Sequence, residues 1–214
     1  MATRLREPVN GLTHLVGVVL SVAALVVLLW LAIGARDMRQ LIAFTIFGLS
    51  QIALFTASTL YHSLPLDPAG VARLRRIDHM MVFVLIAGTY TPICLVALRG
   101  GWGWSLFGVV WGIALCGLVI KTRWMHAPKW LSTALYLAMG WAVVVAAPVL
   151  FDRLPTGAVA WLLAGGIIYS VGAVIYALKR PNLIPGVFDA HALWHLFVLA
   201  GSACFFWMIV QYVA

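Results

Sequence analysis

Seven long runs of apolar residues alternate along the chain with short stretches of polar residues, prolines and glycines. An α-helix rises about 1.5 Å per residue, so roughly 20 apolar residues cross the hydrocarbon core of a bilayer. Each run is close to that length, and the pattern therefore predicts seven transmembrane helices. The predicted spans are Leu12–Gly34, Leu41–Leu64, Asp78–Leu98, Trp104–Ile120, Leu131–Leu150, Ala158–Leu178 and His191–Val213.

The stretches between these runs have the composition of loops. Pro65–Arg76 contains two prolines and a glycine, Arg99–Gly103 contains adjacent glycines, and Arg180–Asp189 contains two further prolines. Such residues favour turns and interrupt helices. Pro92 lies inside the third predicted span, where a missing N–H and a bulky ring predict a kink.

Composition supports a chain embedded in the membrane throughout. Hydrophobic residues make up 64% of its 214 residues and charged residues only 9%, whereas a soluble domain carries about 25% charged residues. No polar stretch is long enough to form a separate soluble domain. We predict an all-α integral membrane protein, with residues 1–214 forming one seven-helix domain in the inner or plasma membrane of the cell.

The positive charges give the predicted orientation. The net charge is +8, but the basic residues stand in short clusters without interleaved aromatic residues, so we expect contact with anionic lipid headgroups and no nucleic-acid partner. Ten lysines and arginines lie on the side of the N-terminus and four on the other side. Because positive loops stay in the cytoplasm, we predict a cytoplasmic N-terminus and an external C-terminus.

Polar and ionisable side chains gather near one end of several spans. Ser58 and His62 stand at the end of span two, Asp78 and His79 at the start of span three, and His191 and His195 at the start of span seven. With alternating spans all of these residues lie near the predicted cytoplasmic boundary. Ionisable groups in a span usually face the bundle interior and mark function, so this end is the candidate site.

The spacing of the histidines predicts a metal site. His191 and His195 are four residues apart, the spacing of helical zinc ligands, but the glutamate of an HExxH metalloprotease motif is missing. His62, at the same depth, is the candidate third ligand. Three imidazoles leave one position of tetrahedral Zn²⁺ open for water, as in catalytic zinc sites. The cysteines lack CxxC spacing and predict no thiolate site.

Two polar residues next to the histidines are candidates for catalysis. Asp78 is suited to act as general base toward the water, and Ser58 to orient that water or a substrate carbonyl. His79 points about 100° away from Asp78 on a helix, which predicts a packing or hydrogen-bonding role.

Polar residues at the start of span one admit two interpretations. Glu7, Asn10 and His14 share one helical stripe and either line the site or cap the amides of the first turn. We expect them to support the helix or the ligands.

The sequence motifs resemble the hemolysin III family, the bacterial branch of the progestin and adipoQ receptor family, which includes the adiponectin receptors. The resemblance covers nearly the whole chain. The segments that carry it are Glu7-Pro-Val-Asn10-Gly-Leu-Thr13-His14, Ser58-Thr-Leu-Tyr61-His62-Ser, Arg76-Ile-Asp78-His79, Ala87-Gly-Thr-Tyr-Thr-Pro92, Tyr136-Leu-Ala-Met-Gly-Trp141 and His191-Ala-Leu-Trp-His195.

The resemblance implies a seven-helix fold with a cytoplasmic N-terminus and zinc held by His62, His191 and His195, with Asp78 near the water. Relatives are linked to ceramidase-like hydrolysis of lipid amides, to cytolysis and to membrane homeostasis. We therefore expect a zinc-dependent hydrolase of lipid amides or esters at the cytoplasmic leaflet, with membrane lipids as partners.

Two other functions stay open at this point: a membrane-state sensor with structural zinc, and a cytolysin. An aqueous pore needs polar residues along its whole length, and the outer half of the spans is apolar. The loops on the predicted external side are short, so no protein hormone is expected to bind.

Overall fold

A computed structural model describes residues 5–124, 129–184 and 186–214. Arg4, Pro185 and residues 125–128, in the loop after the fourth span, lie outside these ranges. The described residues form helices and one isolated β-bridge. The helices are α1 (Pro8–Ala35), α2 (Met38–Ser63), α3 (Pro68–Pro92) with a π-helical continuation (Ile93–Leu98), α4 (Gly100–Arg123), α5 (Lys129–Trp141), a 3-10 segment (Ala142–Ala146), α6 (Ala147–Arg153), α7 (Thr156–Leu178) and α8 (Ala190–Tyr212).

Seven of these helical stretches are long and apolar enough to cross a membrane, which confirms the predicted seven-helix architecture. The fifth stretch is built from α5, the 3-10 segment and α6. Most of the predicted spans begin and end within a few residues of the observed helices.

The start of α3 differs from the prediction. The stretch predicted as a loop, Pro65–Arg76, is helical from Pro68 onward. Asp67 caps this helix, since its Oδ1 accepts a hydrogen bond from the amide of Gly70 at 2.8 Å, and Pro68 suits the first turn because its missing N–H needs no partner there. The arginines of this stretch therefore lie on a polar extension of the span, which a hydropathy pattern does not reveal.

The predicted kink at Pro92 corresponds to a change of helix type. The regular α-helix ends at Pro92, and the chain continues as a π-helix to Leu98. A proline within a helix removes one backbone hydrogen bond, and a wider turn accommodates the change.

The break in the fifth span is stabilised by a tyrosine from α3. Tyr90 Oη donates to the carbonyl of Gly140 at 2.6 Å and accepts from the amide of Val143 at 2.9 Å. Backbone groups freed by a break need partners inside a membrane, where water is absent. Tyr90 supplies two of them and allows the fifth span to change from α to 3-10 geometry.

The helices α1, α2 and α3 pack in sequence, and α8 lies between α1 and α7. Large buried side chains of α2, α3 and α8, among them Phe44, Phe83 and Met208, form the main core. The helix α5 packs less closely against its neighbours α3 and α7, and a cavity opens between them.

Gly17 of α1 lies against side chains of both α2 and α8. A Cβ atom at this position would lie 2.7 Å from the ring of Phe55 and 2.9 Å from Leu199. Small residues at such crossings let helices pack closely in membranes. We expect Gly17→Ala to destabilise the bundle by about 1–3 kcal/mol, the usual effect of overpacking, and to lower the melting temperature in detergent.

Gly34, in the same helix, provides the control for this substitution. In the described part of the chain, no atom beyond the neighbouring helix backbone lies within 4 Å of a Cβ built on Gly34, and alanine has the higher helix propensity. Gly34→Ala should leave the melting temperature equal or raise it. Equal melting temperatures for both variants would contradict the close packing at Gly17.

Candidate metal centre

The candidate site lies at the end of the bundle where α1, α3 and α8 begin and α2 ends, called the site end below. A carboxylate fixes the start of α8. Asp189 Oδ1 accepts hydrogen bonds from the amides of His191 at 3.0 Å and Ala192 at 2.9 Å. This cap places His191 in the first turn and His195 one turn later on the same face.

The three predicted metal ligands converge. The nearest ring nitrogens of His62, His191 and His195 all lie within 4.8 Å of one another, close enough for the cluster to hold a metal ion. The Nε2 atoms of His62 and His191 are 3.3 Å apart. Two nitrogens bound to one tetrahedral zinc at about 2.0–2.1 Å lie roughly 3.3–3.4 Å from each other, so this pair is already spaced for a shared ion.

The cluster is largely closed to solvent. His62 is 1% exposed and His195 2% exposed, while His191 is half-buried. The three rings meet edge to face, with centroids 4.7–4.9 Å apart. Buried polar groups need partners, and a cation shared by several imidazole nitrogens would supply them.

The two predicted catalytic residues lie beside the cluster. Asp78 and Ser58 are buried and line the same cavity as His191 and His195. Asp78 is not one of the three residues whose donor atoms group within 4.8 Å. Ser58 Oγ lies near the Asp78 carboxyl, although among the described residues it makes no hydrogen bond of normal geometry.

Glu7 contacts the histidine triad, which consists of His62, His191 and His195, through His62 and does not cap α1. It occupies the position before the helix, but its side chain makes no capping hydrogen bond. Instead Glu7 Oε2 lies 2.5 Å from His62 Nδ1 and accepts from Asn10 Nδ2 at 3.2 Å. The hydrogen bond with His62 lowers the pKa of Glu7 to about 2, so the carboxylate is ionised at neutral pH.

The backbone of α1 contacts a second triad histidine. His195 Nδ1 lies 3.2 Å from the carbonyl oxygen of Asn10 and 3.1 Å from Thr13 Oγ1. The Thr13 hydroxyl also donates to the Asn10 carbonyl at 2.9 Å. Thr13 belongs to the opening motif but was not among the predicted site residues.

His14 stacks on the triad without joining it. Its ring lies 3.6 Å from that of His195 between centroids, at an interplanar angle of 13°. His14 is 3% exposed, and neither of its ring nitrogens has a hydrogen-bond partner among the described residues. Its ring lines the cavity, while both ring nitrogens are buried.

His79 makes a structural contact across the bundle. Its backbone carbonyl accepts a hydrogen bond from Tyr136 Oη at 2.9 Å, and its side chain lines the cavity. This contact ties α3 to α5 next to the site.

A large apolar cavity extends from the site end between α3, α5, α7 and α8. It holds about 1330 Å³ of empty space, including its opening. Trp141 of α5 and Leu163 of α7 line the cavity and are 37% and 42% exposed. Trp141 Nε1 donates to Ser170 Oγ at 2.9 Å across the same gap. The cavity is therefore not fully enclosed on the side of α5 and α7.

Several residues of this cavity could not be assigned to the site from the sequence. Tyr169 and Ser170 lie on α7, a span without any of the candidate site residues, and Trp141 entered the sequence analysis only as the last residue of a family motif. Only the packing of α5 against α7 brings them together.

Comparisons with known proteins cover almost the whole chain. The family model described as "Haemolysin-III related" matches residues 2–206. The chain is 39% identical to Hemolysin-3 of Bacillus cereus over 97% of this chain and 91% of that protein, and 41% identical to a Hemolysin-3 homolog of Bacillus subtilis (strain 168) over 99% and 96%.

A more distant similarity, 27% identity over 83% of this chain and 73% of the relative, joins it to the human monocyte to macrophage differentiation factor. The extent of the family match and the seven apolar helices lead to one conclusion. The chain is a multi-pass membrane protein that belongs to the haemolysin-III-related family.

Proposed function

We propose that this protein is a zinc-dependent hydrolase that cleaves lipid amides or esters. One observation carries the proposal: three imidazoles, a buried carboxyl and a buried hydroxyl meet at the polar end of a long apolar cavity. A few convergent polar groups inside an apolar cavity are the usual form of a catalytic site.

The donor set fits zinc. His62, His191 and His195 would hold the ion through neutral imidazole nitrogens, which suit Zn²⁺ among the divalent metals. When bound, zinc polarises a carbonyl and lowers the pKa of water toward neutrality. Three protein ligands are the number typical of catalytic zinc sites, whereas structural sites have four.

The cavity suits one acyl chain with its carbonyl at the site end. The walls between Asp78 and the opening are mostly apolar, with Val82, Ile86 and Leu162 among the lining residues. The opening between α5 and α7 would let a chain enter from the bilayer. By the positive-inside rule the polar end lies toward the cytoplasmic leaflet.

The chemistry that remains for the protein is proton transfer and orientation. Asp78 would take a proton from the attacking water and deliver it to the leaving nitrogen or oxygen as the acyl bond breaks. Ser58 Oγ would donate a hydrogen bond to the carbonyl oxygen of the substrate. The products would be a fatty acid and the amine or alcohol of the headgroup.

The name of the Bacillus cereus relative, Hemolysin-3, makes cytolysis the competing candidate. A pore would need a continuous polar lining. Along the described part of the chain the cavity is lined mainly by apolar residues away from the site end, which favours binding of a lipid chain over passage of water.

A vesicle experiment tests the proposal and separates it from cytolysis. Zinc-loaded protein is reconstituted into vesicles that contain a panel of acyl amides and esters and enclose a fluorescent dye. We expect mass spectrometry to show release of fatty acid, its loss when a chelator removes the metal, and its return with added Zn²⁺. The dye should stay inside. Dye release without lipid cleavage would overturn the hydrolase and favour the cytolysin.

A further inference from the structure

The segment that leads into α1, residues 6–10, contributes no ligand to the triad but holds the end of α2 that carries His62. The amide of Glu7 donates to the carbonyl of His62 at 2.9 Å, and the amide of Arg6 to that of Ser63 at 3.4 Å. The Arg6 guanidinium lies 4.4 Å from the centre of the Tyr61 ring and donates to the Tyr61 carbonyl. These contacts fix the backbone on which both Glu7 and His62 stand.

The direction of the hydrogen bond between Glu7 and His62 follows from chemistry. His62 Nε2 lies on the side of the other imidazoles and could hold a metal ion only through its lone pair. A neutral imidazole with that lone pair carries its proton on Nδ1, which lies 2.5 Å from Glu7 Oε2, so Nδ1 donates and the carboxylate accepts. A neutral imidazole has one N–H, and its Nε2 then keeps a lone pair. That Nε2 is the atom that lies 3.3 Å from His191 Nε2.

The same relation recurs at His195. A backbone carbonyl accepts and never donates, so His195 Nδ1, which lies 3.2 Å from the Asn10 oxygen, carries the proton and donates it. Its Nε2 is thereby left without a proton. Two histidines on α2 and α8 thus keep the lone pair on the same nitrogen because α1 engages the other one.

Glu7 itself is held in place for this role. Asn10 Nδ2 donates to the same Oε2 atom at 3.2 Å, and Arg6 lies 3.5 Å from Oε1. Since the carboxylate makes no capping bond to α1, its contacts in the described structure are directed to His62 and to the groups that orient it.

We propose that Glu7 is a positioning residue of the metal centre, which sets the tautomer of His62 so that Nε2 faces the ion. The inference rests on the proposed metal site and not on the hydrolysis itself. Carboxylates that orient metal-binding histidines raise the basicity of the ligand, and their loss typically weakens metal binding about 10–100-fold.

Two measurements test the proposal, and the first begins with the wild-type protein. In metal-free wild-type protein labelled with 15N-histidine, we expect the nitrogen shifts of His62 to report a proton on Nδ1. Glu7→Ala should bring a mixture of tautomers at His62. The second measurement is zinc affinity by competition with a chelator. We expect roughly 10–100-fold weaker binding in Glu7→Ala, and recovery of most of it in Glu7→Gln, which keeps an acceptor.

Asp37 offers a matched control at the opposite end of α2, the helix that carries His62. Its Oδ1 caps α2 by accepting from the Arg39 amide at 2.8 Å, far from the triad. Asp37→Ala removes a carboxylate and a helix cap, so it should lower the melting temperature without changing zinc affinity or the His62 tautomer. A structural role of Glu7 alone would make Glu7→Ala behave like Asp37→Ala.

The outcomes distinguish this inference from the proposed hydrolase. A proton on Nε2 of His62 in the wild type, or unchanged zinc affinity in Glu7→Ala, would overturn the role of Glu7. Absence of zinc binding by the wild type would remove the metal centre and the inference together. Zinc binding that depends on Glu7, in a protein that cleaves no lipid, would support the inference and refute the hydrolase.

Discussion

His195→Ala is expected to abolish metal retention by the detergent-purified protein. The substitution leaves two imidazoles, from His62 and His191, of which only the first is fully buried. Loss of a residue that merely orients a ligand costs about 10–100-fold in affinity, so loss of a ligand should exceed about 100-fold. Elemental analysis after dialysis should give about one zinc per wild-type chain and almost none in the variant.

His62→Ala should have the same effect, because all three rings have donor atoms within 4.8 Å of one another. His79→Ala is the matched control. His79 lies at the same end of the bundle and lines the same cavity, but it is not in the triad. This variant should keep its zinc. Equal metal content in all three variants would show that the histidines cluster for another reason.

The fold was predictable from sequence to the extent that the bilayer dictates it. Each span needs about 20 apolar residues in helical form, and the seven runs were therefore visible without a structure. The features that were not predicted depend on hydrogen bonds between side chains and the backbone. The extension of α3 depends on the Asp67 cap, and the break of the fifth span depends on the Tyr90 hydroxyl.

The gathering of the histidines was predictable because ionisable residues are costly in a membrane and seldom stand there singly without a partner. His62, His191 and His195 could be grouped by their depth and their spacing along the helices, and the structure brings these three together. Spacing alone did not decide between capping and contact with the site for Glu7. The rotation and approach of α1 decide it, and these depend on packing, as at Gly17.

The cavity could be foreseen only in outline. Its walls come from α3, α5, α7 and α8, and its opening depends on how far α5 stands from α7. Runs of apolar residues carry no information about such a gap, because lipid and protein interior are equally apolar. Ser170 illustrates this point: its hydrogen bond to Trp141 follows from tertiary structure alone.

Asp78→Asn is expected to keep the metal and lose hydrolysis. The amide has nearly the size of the carboxyl and remains polar, so the buried pocket beside Ser58 should persist. It has no site that takes a proton from water. General acid–base groups contribute about 10²–10⁴-fold to rates, and we expect a decrease of this size in fatty acid release from vesicles at unchanged zinc content.

Asp67→Asn serves as the control on the same helix. Asp67 caps α3 from an exposed position, and asparagine is an equally good cap, so stability, metal content and hydrolysis should all match the wild type. The comparison also separates the enzyme from a metal-containing membrane sensor. A sensor needs the folded, zinc-loaded bundle but no proton acceptor. If the protein is a sensor, the Asp78→Asn variant should keep the physiological effect of the wild type. Lipid cleavage should then stay at background in both proteins. If Asp78→Asn instead lost its zinc, the carboxyl would belong to the ion's binding site, and the proton would have to be taken by another group.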